Sequence, residues 1–92
     1  MARRPRGNLL FSRCLEEVER HVTPSRAARI LLRAIAEVGA TPEDVTVGHC
    51  VRALDISLPQ ALDEHCDEAE AAAIIQELTQ VLDQVAGTYF RV

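Results

Sequence analysis

DEAEAAAIIQELTQVLDQVAG, residues 67–87, decides the fold class. Asp67 is placed to cap a helix, Glu68 and Glu70 face the positive end of its dipole, and Gly87 is the expected stop. Between them Ala71, Ile74, Ile75, Leu78, Val81, Leu82 and Val85 recur at spacings of three and four, which makes one apolar stripe along a helix. About 19 residues rising ~1.5 Å each give a helix about 28 Å long, the full length of a small domain.

Working back toward the N-terminus, the same periodicity predicts a helix over residues 24–38. Arg26, Arg29, Arg33 and Glu37 form its polar stripe, and Ala27, Ala28, Ile30, Leu31, Leu32, Ala34, Ile35 and Val38 cover the rest. A helix apolar over most of its circumference belongs at the centre of a bundle or in an oligomer interface. Thr23-Pro24-Ser25 marks its start and Gly39 its end. Before it, Leu10, Phe11, Cys14, Leu15, Val18 and Val22 share one face of a helix over residues 9–22.

After it, Thr41-Pro42-Glu43-Asp44 carries the signature of a helix start, kept brief by a second cap at Thr46 and by Gly48. A third helix over 47–54, a bend at 56–59 and a fourth helix over 59–66 complete the chain. The expected fold is all-α, a compact bundle of four to five helices with a long amphipathic C-terminal helix. Residues 1–8 read as a flexible basic arm, 9–87 as the helical domain and 88–92 as a short tail.

At 92 residues the chain is one domain that buries roughly 64% of its unfolded surface. With Phe11, Tyr89 and Phe90 as its only aromatics, the core must be Leu, Ile, Val and Ala, which favours close helix packing over a ligand cavity. No run approaches the ~18 apolar residues of a membrane span, and Leu9-Leu10-Phe11 is too short for a signal-peptide core, so a cytoplasmic protein is expected. Three cysteines, an odd set, fit free thiols in a reducing compartment.

Charge is segregated. Residues 1–40 carry eight Arg and four Glu, a balance of +4, whereas residues 41–92 carry two Arg and ten acids, a balance of −8. Such asymmetry bears on partners and self-association more than on fold.

Three constellations could carry function. His49-Cys50 and His65-Cys66 lie symmetrically about the expected bend, so a hairpin of the third and fourth helices would bring them together as a zinc, copper or thiol site, with Cys14 and His21 nearby. Neighbouring helical residues point about 100° apart, however, and no CxxC or HxxxH spacing is present, so a structural role for both pairs is preferred and no cofactor is expected. Second, Arg3, Arg4, Arg6, Arg26, Arg29 and Arg33 could neutralise phosphates. The loosely helix-turn-helix spacing from Ile35 to Val45 fails, because the would-be reading helix opens with Pro42, Glu43 and Asp44.

Third, catalysis would need a Cys-His pair with an orienting group and oxyanion donors, and the spacing supplies neither. The acids Asp63, Glu64, Asp67, Glu68 and Glu70 read as a solvated face. The expectation is a non-enzymatic protein–protein interaction or regulatory module, a homodimer with Arg26, Arg29, Arg33, Ala28, Leu31, Ile35 and Leu78 at its interface. A metal- or thiol-responsive regulator ranks second and a nucleic-acid binder third, with no membrane partner.

Overall fold

A computed structural model describes residues 7–89, in the order α1 (Leu9–Glu19), α2 (Pro24–Glu37), α3 (Val47–Arg52), a π-helical segment (Ala53–Ser57), α4 (Leu58–His65) and α5 (Glu68–Tyr89). It is an all-α bundle with a long C-terminal helix.

Asn8 starts α1. Its Oδ1 accepts from the Phe11 N–H at 2.8 Å, its own N–H donates to the Pro42 carbonyl, and its Nδ2 donates to the Val45 carbonyl at 2.8 Å. Residue 8 is therefore a cap tied to a distant loop, not part of a flexible arm. Gly7 precedes it because a Cβ there would stand 2.5 Å from the Phe11 ring. Residues 1–6, with Arg3, Arg4 and Arg6, lie outside the described residues, as do 90–92.

Helix α2 begins as expected, with Thr23 Oγ1 accepting from the Arg26 N–H and Pro24 in the first turn. It ends on Gly39, whose φ of +83° suits a residue without Cβ. The Gly39 N–H donates to the Ala36 carbonyl and the Ala40 N–H to that of Ile35, the paired closure that satisfies orphan helix carbonyls. The Thr41 start closes a single turn, in which the Thr41 N–H donates to Asp44 Oδ1 at 2.7 Å, and buried Val45 then anchors the loop.

The expected bend at 56–59 is absent: α3, the π segment and α4 run on without a break from 47 to 65. Pro59 accounts for the widening, since its ring opposes the carbonyl of Asp55 four residues earlier and it has no N–H to give. The helix passes this point by bonding across five residues, the Leu58 N–H donating to the Ala53 carbonyl. Ser57, buried, donates its hydroxyl to the Ala34 carbonyl of α2 at 2.7 Å. The real reversal comes at Cys66, which is extended, followed by Asp67, whose Oδ1 accepts from the Glu70 N–H to cap α5. Gly87 does not stop α5; the helix runs through it.

Helices α1 and α4 each pack against both α2 and α5, while the π segment also backs onto α2 and α3 onto α5. Phe11, Leu15 and Val18 of α1 meet Ile30 and Ile35 of α2, Leu58 and Leu62 of the π–α4 run, and Ile74, Leu78 and Leu82 of α5 in one core. The radius of gyration is 12.3 Å, equal to the ~12.3 Å of a compact chain this long. No helix among the described residues is long and apolar enough to cross a membrane.

Candidate functional site

The continuous run from α3 to α4 separates the two His-Cys pairs. His49 and Cys50 stand in its first turn and His65 and Cys66 at its far end, about 24 Å apart at ~1.5 Å per residue. Each residue has a local role instead. His49 completes a capping box: Thr46 Oγ1 accepts from the His49 N–H, and His49 Nδ1 accepts from the Thr46 N–H at 3.1 Å. Cys50 is in the core, and half-buried Cys66 caps α4, its thiol pushed up by burial and then by Glu70. Among the described residues no group of three or more His, Cys, Asp or Glu could hold a metal ion.

His21 belongs to neither pair. Its Nε2 lies 2.6 Å from Glu77 Oε2, joining the end of α1 to α5 and holding the Glu77 carboxyl below its usual range.

The expected α2 interface is corrected by burial. Leu31 is 5% exposed, Ile35 1% and Leu78 2%, all covered by the chain's own helices. A helix apolar round most of its girth has been given neighbours on three sides, α1, the π segment and α4, so it needs no second copy. Ala28 is half-buried against that core. Of the Arg stripe, Arg26 and Arg29 are exposed, whereas Arg33 pairs with Glu37 on its own helix and with Glu64 of α4. The basic and acidic halves of the chain thus meet within one molecule at this point.

The open surface is elsewhere. Between the α3–π run and α5 lies a groove of about 470 Å³, lined by Val51, Leu54, Ile75 and Leu82 with Arg52, Asp55, Thr79 and Asp83 around them. Val51 is 53% exposed, and Ile56, five residues further on, is 61% exposed. Thr79 spends its hydroxyl on the Ile75 carbonyl of its own helix. Arg52, Asp55 and Asp83 are all exposed, and none of the three forms an ion pair among the described residues. An apolar channel edged by free charges of both signs can seat an apolar helix face or side chain and orient it electrostatically.

Sequence reasoning missed this groove for a definable reason. Val51, Leu54 and Asp55 share a face at ordinary helical spacing, but with a bend expected at 56–59 nothing local says that α5 stands opposite that face. Pro59 inside an otherwise helical run was the available signal.

Beneath the groove floor, a cavity of about 20 Å³ is lined by Cys14 of α1 and Cys50 of α3 together with Leu31, Ile35, Leu54, Leu78 and Leu82. The Cys50 thiol and burial push the Cys14 thiol up, and the Cys14 thiol draws that of Cys50 down.

Fold and site together define a small all-α bundle with a shallow apolar groove and a buried thiol pair. Comparison with family models, curated proteins and solved structures gives no match.

Proposed function

We propose that the chain is a non-enzymatic helical interaction module, acting in a reducing cytoplasmic setting, that pairs with a second copy of itself through the groove between the α3–π run and α5. The observation that supports this reading is the groove itself, apolar along its floor and edged by unpaired Arg52 on one wall and unpaired Asp83 on the other. A two-fold pairing requires a self-complementary surface, and opposite charges on opposite walls meet that need, Arg52 of each copy facing Asp83 of the other. Val51, already exposed on the groove wall, supplies the apolar contact together with Ile75.

Charge reversal tests it by sedimentation. Wild type should dimerise below ~100 μM, an association stronger than about −5.5 kcal/mol. Arg52→Glu alone and Asp83→Arg alone should each be monomeric, because like charges then face each other at both positions. An equimolar mixture of the two variants should dimerise again, since both pairs are restored. A wild type that stays monomeric at ~100 μM, or a mixture that fails to associate, rejects the reading. Retention of wild type on duplex DNA at physiological salt, lost in variants without Arg26 and Arg29, would favour the nucleic-acid alternative instead.

A further inference from the structure

The thiol pair is used by neither the fold's hydrogen bonding nor the groove. Cys14 and Cys50 come from different helices, and both line the same small cavity. Both side chains are buried in the core, whereas Cys66, the third thiol, stands apart at the end of α4.

We propose that Cys14 and Cys50 are a peroxide-oxidised thiol pair, which closes to a disulfide and pins α1 to α3. The cavity sets the class of oxidant. Its ~20 Å³ has room for a molecule of about water's size, and Leu54 and Leu82 line both this cavity and the groove. Hydrogen peroxide fits this limit, and a peptide disulfide such as oxidised glutathione does not.

In the first step the Cys50 sulfur attacks one peroxide oxygen. The O–O bond breaks, its electron pair goes to the departing oxygen, and that oxygen leaves as water with the Cys50 thiol proton. Cys50 is then a sulfenic acid. In the second step the Cys14 sulfur attacks the Cys50 sulfur, the S–S bond forms, the S–O bond breaks, and hydroxide leaves as a second water with the Cys14 thiol proton. Two thiols have lost two electrons and one peroxide has gained them. Cys50 is the better attacking group, because the neighbouring Cys14 thiol favours its ionised form whereas burial and Cys50 hold Cys14 protonated. A dithiol reductant reverses the change.

Peptide mapping by mass spectrometry decides the matter, independently of what occupies the groove. Native reduced protein treated with hydrogen peroxide should lose two hydrogens and yield one linked peptide pair, containing Cys14 and Cys50, with Cys66 still alkylatable. The cross-link should raise the melting temperature by about 10 °C or more, and the reductant should remove that gain. In Cys14→Ala, checked for helicity by circular dichroism, Cys50 should halt at the sulfenic acid, read as a gain of one oxygen atom in the mass of the intact protein. Oxidised glutathione should link the pair about tenfold or more slowly than peroxide at equal concentration. Oxidation at Cys66 while Cys14 and Cys50 stay reduced, or equal rates with the two oxidants, would overturn the proposal.

Discussion

Helix α2 and the surface made by the π segment with α5 handle apolar residues in opposite ways. Ala27, Ile30, Leu31, Ala34 and Ile35 of α2 are sealed by three neighbouring segments, and the Arg33 head is paired with Glu64 and Glu37. On the other side, Val51 and Ile56 stand in solvent, Ile75 is half-covered, and Arg52, Asp55 and Asp83 have no ionic partner among the described residues. The apolar content of a helix therefore says how much surface must be covered, and packing says who covers it.

The contrast is broken most directly by truncation on each side. Leu78→Ala should cost about 2–5 kcal/mol, as a fully packed leucine does, while Val51→Ala should stay within about ±0.5 kcal/mol in urea denaturation. Similar losses from both would mean that the groove wall is as tightly packed as the core.

Ser57→Ala tests the link between the two sides. The Ala34 carbonyl is near the end of α2, and the Val38 N–H that would serve it bonds to Ile35 instead, so the Ser57 hydroxyl is its partner. Losing it should cost about 1–3 kcal/mol, the range for a buried acceptor left unsatisfied. A neutral result would detach the π segment from α2 energetically and leave Pro59 as its sole cause.

A smaller effect is expected where α2 is closed off. Gly39→Ala places a Cβ at φ +83° with open space around it, so the cost is backbone strain alone, about 1–2 kcal/mol, read from the denaturation midpoint. A stabilised variant would show that the turn can leave the left-handed region.

The smallest effect concerns pH. Glu77 is held below its ordinary value of 4.5, first by its hydrogen bond to His21, and Asp44 below 3.8 by its bonds to Thr41. A depressed carboxyl contributes stability that is present above its unfolded pKa and is lost as pH falls through the folded one. Stability should accordingly decline as pH falls from about 5 toward 3, modestly because both groups are solvent-screened. His21→Asn should bring the Glu77 carboxyl back up toward its ordinary range in an NMR titration. An unchanged Glu77 titration would remove His21 as the cause.

Most helix boundaries were legible because their signals are local. Thr23 with Pro24, Gly39, Thr46 and Asp67 act on backbone groups within a few residues, and each performs the capping or closing role its side chain allows. The apolar stripe of α5 was equally legible, since Ile74, Leu78, Val81 and Leu82 need only the helical repeat to share a face. Asn8 was not, because its N–H and Nδ2 donate to Pro42, Glu43 and Val45, more than 30 positions away.

The sequence by itself thus determined the helices and the need for a central apolar one, through rules that reach no further than a turn. Whether α3 and α4 fold back or run on was decided by tertiary structure: Pro59 opposes a regular helix, but only the Ser57 bond to α2 and the burial of Leu58 and Ala61 reward a continuous widened one. From that one choice follows the separation of the two His-Cys pairs. The groove beside α5 is set by packing too, because Val51, Leu54 and Asp55 share a face at ordinary helical spacing and only the packing of α5 brings Ile75 and Leu82 opposite them.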